Sequence, residues 1–158
     1  MTSTLGFYGG VGSVTGANFL LDTGTIALLV DCGLVQGDTF VQESNALPFV
    51  YNPSDIDYLL VTHAHADHIG RIPKLVKDGF RGVIYSTNPT QELAGIMLND
   101  ALKVMEYEKE KYGREPIYDA KDIHSNAAGS IISSSVGDHK QNTEEKIHNL
   151  SGEEGHNA

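Results

Sequence analysis

Thr62-His63-Ala64-His65-Ala66-Asp67-His68-Ile69-Gly70 puts three histidines and one aspartate within six positions. Packing alone gives no reason to gather so many titratable side chains, whereas a divalent metal does. Imidazole nitrogen and carboxylate oxygen suit zinc, although manganese or iron would also accept such ligands. The apolar run Tyr58-Leu59-Leu60-Val61-Thr62 reads as a buried strand that delivers the cluster at its end. Alternate residues after a strand share a side, so His63 and His65 can meet one metal. Asp67 and His68, in the turn beyond, can meet a second beside it. Two such ions can share a hydroxide and stabilise an in-line displacement at a phosphodiester, with the bound water's pKa lowered toward about 7. The competing view is a solvated turn with chance histidines. Four metal-competent residues at this spacing, directly after an apolar strand, argue against it.

Upstream, Thr25 to Asp31 is an apolar run that reads as another fully buried strand. Asp31-Cys32-Gly33 stands at its mouth, and Asp31 is either a turn former or a site residue. Leu5 to Tyr8 and Ala17 to Asp22 read as strands around the glycine-rich Gly9 to Gly16. That loop lacks a P-loop lysine and no helix follows it, so a β-hairpin is the better reading. Leu34 to Asn52 reads as a long loop, and Pro53 to Asp57 as a helical turn.

Downstream, Ile72 to Phe80 reads as a short helix, Gly82 to Ser86 as a strand, and Thr90 to about Lys111 as a long helix. Thr90 is expected to cap that helix. Leu93, Ile96, Met97, Ala101, Val104 and Met105 form an apolar stripe at helical spacing, expected to face the core. Gly113 and Pro116 end the helix. The fold class is α/β (α+β), a mixed sheet with flanking helices.

At 158 residues the chain is one domain with enough apolar content for a core. A net charge of -10 argues against a protein-wide electrostatic grip on nucleic acid but permits a local basic channel. Cys32 is the single cysteine, so no internal disulfide forms, which fits a reducing cytoplasm. No apolar run would span a bilayer and no signal-peptide pattern opens the chain, so the expected state is soluble, cytoplasmic and free of membrane. From about His124 onward Ser, Asn, Gly, His and Glu dominate, and residues 124–158 are expected to form a poorly ordered tail. His124, Asp138, His139 and His148 read there as solvated residues rather than ligands.

His63-x-His65-x-Asp67-His68 resembles the signature of the metallo-β-lactamase superfamily. Gly9 to Asn18, Val30 to Gly37, Thr62 to Pro73, Gly79 to Gly82 and Thr87 to Leu98 resemble its RNA-processing β-CASP branch, over about residues 5 to 123. The resemblance implies an αββα sandwich, a two-zinc centre and hydrolysis of RNA phosphodiesters. It makes His63, His65, Asp67 and His68 the metal ligands. Asp31 becomes the first-motif aspartate, with Asp67 and Asp31 as catalytic residues. Family members also carry a further ligand histidine, a bridging aspartate and histidines beyond an inserted domain. Ala128 stands where the first of these histidines would be wanted. Residues 1–123 therefore read as the N-terminal part of the family's domain, a truncated ribonuclease holding one zinc or binding it weakly. RNA is the expected partner of the full-length protein, and a homodimer is left open. A thioester or lactone hydrolase of the same superfamily and an inactive zinc-binding fragment are the alternatives. One further consequence is expected: a sheet face without its partner layer, exposing apolar surface.

Overall fold

The structure, a computed structural model, describes residues 2–37, 43–124 and 131–133. Strand β1 (Thr4–Gly9) turns back into β2 (Asn18–Asp22), which turns back into β3 (Ala27–Val30). The loop between the first two strands carries Gly10, Gly12 and Gly16 at positive φ, as the hairpin reading requires. Single-turn 3-10 segments at Ser44–Ala46 and Pro53–Asp55 lead to β4 (Tyr58–Leu60). Helices α1 (Ala66–Ile69) and α2 (Ile72–Lys77) precede β5 (Val83–Ser86). Helix α3 (Asn88–Tyr112), helix α4 (Ala120–His124) and β6 (Ile131–Ser133) follow.

The six strands lie in sequence order in one sheet. β1, β2 and β3 pair antiparallel, and β3 to β6 pair parallel. The carboxyl ends of β3 and β4 therefore lie side by side at one sheet edge, which brings Asp31 to the histidine cluster. No helix among the described residues is long and apolar enough to cross a membrane.

The two sheet faces differ sharply. Leu29, Leu59 and Ile84 lie opposite one another across β3, β4 and β5 and are fully buried. They pack with Ile69, Leu75, Phe80, Ala94, Leu98 and Leu102 from the helical side. On the other face the register lines up two rows, Leu5-Leu21-Leu28-Tyr58-Val83 and Phe7-Phe19-Val30-Leu60-Tyr85. All ten positions are apolar or aromatic and none is buried; Phe7 is 58% exposed. Among the described residues these two rows form an apolar surface that is exposed or half-buried.

Helix α3 corrects two expectations. Its cap is Thr87, whose side chain accepts from the Thr90 N–H, and the helix begins at Asn88. The stripe that faces the core is Thr90, Ala94, Leu98 and Leu102. Of the six stripe residues, Leu93, Ile96, Met97 and Val104 are exposed, Ile96 by 67%, while Ala101 and Met105 are half-buried and Met105 packs against the core. Both stripes have helical spacing. The buried one mixes the small Thr90 and Ala94 with Leu98 and Leu102.

Candidate metal centre

The cluster is held by backbone before any side chain is considered. After β3, residues 31–34 run alongside residues 66–68. Cys32 N–H donates to the His68 carbonyl at 2.8 Å, and Leu34 N–H to the Ala66 carbonyl at 2.9 Å. The Ala17 N–H, from the end of the glycine loop, donates to the Asp67 carbonyl at 2.9 Å. The Arg71 N–H returns to the Cys32 carbonyl at 2.9 Å. Two segments distant in sequence, at Ala17 and at residues 31–34, thus meet on the first residues of α1. Gly33 makes the meeting close: a Cβ there would stand 1.6 Å from the Asp67 carbonyl oxygen.

Asp31 resolves its two sequence readings. It is 2% exposed and is the only non-glycine residue at positive φ among those described, with φ 57°. Aspartate tolerates that region better than most side chains. The turn swings its carboxylate onto the cluster. Oδ1 accepts from the Thr62 N–H at 2.8 Å, and Oδ2 accepts from the Thr62 hydroxyl at 2.7 Å. His68 Nδ1 lies 2.8 Å from the same Oδ2. Asp31 sits in a turn at positive φ, and its carboxylate meets both Thr62 and His68. It faces His68 and Thr62 and leaves the outer side of the cluster to other donors.

That outer side holds two donor pairs. His63 Nε2 lies 3.0 Å from His65 Nδ1, and His68 Nε2 lies 3.6 Å from Asp67 Oδ2. Two ligands on one tetrahedral zinc stand about 3.3 Å apart, from bond lengths near 2.0–2.1 Å. Both pairs sit close to that spacing, and they are the pairs the sequence pattern suggests. The His63 and His68 ring centroids are 4.0 Å apart, so the pairs are neighbours. Among the described residues no group of three or more His, Cys, Asp or Glu side chains stands around one point. The donors present fit two half-built sites rather than one closed cage.

Other nearby polar groups are occupied structurally. Burial pushes the Cys32 thiol up to about 12, so it stays protonated. It lies 3.6 Å from Asn18 Nδ2, and Asn18 pairs with the Tyr51 hydroxyl at 3.0 Å. The Arg71 guanidinium rests 4.3 Å from the Phe49 ring centroid. Asn18, Cys32 and Arg71 lie within the family-like stretches of the sequence, while Tyr51 and Phe49 come from the loop before β4 and no local pattern signals their contacts. His124 lies at the exposed end of α4. Asp138, His139, His148 and Ala128 lie outside the described residues.

A family model, the metallo-beta-lactamase superfamily, matches residues 12–144. Ribonuclease TTHA0252 of Thermus thermophilus is 41% identical over 116 residues, which are 73% of this chain and 25% of that protein. Transcription termination factor FttA of Methanocaldococcus jannaschii is 35% identical over 121 residues, covering 74% of this chain and 18% of its own length. Endoribonuclease ysh1 of Schizosaccharomyces pombe is 35% identical over 82 residues, or 50% of this chain and 10% of the other. The chain spans a quarter or less of each of these curated relatives.

Proposed function

Because this chain belongs to the metallo-beta-lactamase superfamily, we propose that it carries half of the metal centre of an RNA phosphodiester hydrolase. The family implies a divalent metal, and zinc is the ion that the imidazole and carboxylate donors favour. The carrying observation is the two donor pairs at near-ligand spacing, backed by a buried carboxylate. On this reading His63 and His65 hold one zinc, and Asp67 and His68 hold the second. When bound, zinc supplies a nucleophile at neutral pH and neutralises charge on the phosphate. The chain's own residues orient it: Asp31 holds the His68 ring, and the backbone of residues 31–34 fixes the turn that bears Asp67. The RNA reading draws on the relatives, whose names are those of a ribonuclease, a transcription termination factor and an endoribonuclease.

Residues 1–123 are, on this view, the N-terminal part of the family domain in a cytoplasmic protein. Purified 158-residue chain is expected to retain about one zinc, held by a partial ligand set, and to leave labelled single-stranded RNA uncut. His63→Ala should lose that zinc. Two zincs with RNA turnover would show that the chain is catalytically complete. Zinc retained without His63 would refute the ligand assignment, and turnover of a thioester or lactone instead of RNA would move the substrate class.

The open sheet face supports a homodimer of the isolated chain. The ten positions of its two rows carry no charge, so a second copy can cover it as one sheet covers another in a sandwich, about 10 Å away. Light scattering should give a dimer mass, and Leu60→Lys should return it to the monomer. A monomeric wild type would refute the assembly.

A further inference from the structure

Thr62 lies directly before the first histidine, and its hydroxyl touches three site residues. It stands 2.7 Å from Asp31 Oδ2, 3.0 Å from His63 Nδ1 and 3.4 Å from His68 Nδ1. A hydroxyl has one proton to donate and two lone pairs with which to accept. A carboxylate only accepts, so the Thr62 proton goes to Asp31. Toward His63 the Thr62 oxygen is then an acceptor, and His63 Nδ1 must carry a proton. That leaves Nε2 of His63 as a bare lone pair, facing His65 Nδ1 at 3.0 Å. The same carboxylate oxygen faces His68 Nδ1 at 2.8 Å and fixes that ring likewise, with Nε2 free. One buried carboxylate thus sets a histidine in each donor pair. It acts directly on His68 and through a hydroxyl on His63.

We propose that Thr62 is a positioning residue: its hydroxyl relays Asp31 to His63 and locks His63 in the Nδ1–H tautomer that presents Nε2 to a divalent metal. The inference rests on the metal reading above for its consequence, while the tautomer itself is a property of the metal-free chain. In metal-free chain His65 Nδ1–H donates to His63 Nε2, which completes a run of bonds all pointing toward Asp31. Such a run polarises each member in turn. To hold a divalent metal between this pair, only His65 Nδ1 would have to give up its proton.

Two measurements on the 158-residue chain test this. Long-range proton–nitrogen NMR of the metal-free protein should show His63 as the Nδ1–H tautomer. Thr62→Val, which keeps the shape and removes the hydroxyl, should shift His63 toward Nε2–H. Thr62→Ser should restore the wild-type pattern. Titration with zinc or cobalt should then show Thr62→Val about 10–100-fold weaker, the usual loss for an outer partner of a ligand histidine, with Thr62→Ser within about threefold of wild type. A wild-type His63 in the Nε2–H form overturns the proposal whatever the variants do. So does Thr62→Val with unchanged tautomer and affinity. If wild type binds neither ion, the metal reading fails, and the NMR result still decides the role of Thr62.

Discussion

Gly33→Ala is expected to destabilise the chain around its histidine cluster. The added Cβ would lie 1.6 Å from the Asp67 carbonyl oxygen, 2.0 Å from its carbon and 2.7 Å from the His68 nitrogen. All three are backbone atoms, so no side-chain rotation relieves the contact. The strand of residues 31–34 must move away from residues 66–68. That motion breaks the Cys32-to-His68 and Leu34-to-Ala66 bonds, and with them the Gly33 N–H bond to the Ala17 carbonyl at 3.0 Å. At roughly 1 kcal/mol net for each bond, plus a penalty for each buried group left unpaired, the loss is about 3–5 kcal/mol. Domains have about 5–15 kcal/mol in total, so the variant should lose a large share of its stability. Urea unfolding followed by circular dichroism measures this directly. Gly12→Ala is the control. Its Cβ would meet nothing within 4 Å, and its φ of 73° costs about 1–2 kcal/mol for an alanine. A Gly33→Ala chain as stable as Gly12→Ala would mean that the two segments do not pack as described.

The same close approach marks the limit of what could be read from sequence. The hairpin, the buried strands and the cluster's position after β4 follow from local pattern, because strand alternation and glycine turns are short-range signals. The role of Gly33 is not local. It depends on residues 34 positions further along the chain, and nothing in Asp31-Cys32-Gly33 says that a carbonyl will stand there. Asp31 was ambiguous for the same reason: turn and site readings differ only in what the carboxylate meets after folding. Helix α3 failed differently. Its sequence holds two apolar stripes, and periodicity cannot rank them. Leu93, Ile96 and Met97 stay outside, and Thr90, Ala94, Leu98 and Leu102 face the core.

Two substitutions at Asp31 are expected to separate its two duties. Asp31→Ala puts an alanine at φ 57°, at a cost of about 1–2 kcal/mol. It also removes the acceptor for the Thr62 N–H, the Thr62 hydroxyl and His68 Nδ1. Thr62 is exposed and His68 partly so, so water can satisfy some of these groups. The remaining penalty is about 1–3 kcal/mol, giving a total loss of about 2–5 kcal/mol. Asp31→Asn should act differently. Asparagine accepts a positive φ, and its carbonyl oxygen still takes the Thr62 N–H. Its amide nitrogen now sits where Oδ2 was and donates where it should accept. The His68 Nδ1–H loses its acceptor, and the neutral ring moves its proton to Nε2, the atom that faces Asp67. Stability should fall by about 1 kcal/mol, one hydrogen bond's net worth, while zinc affinity falls about 10–100-fold. Paired urea melts and zinc titrations read both quantities. If Asp31→Asn keeps both stability and zinc affinity, Asp31 only shapes the turn after β3. If it keeps stability and loses zinc, the buried carboxylate is there to aim His68.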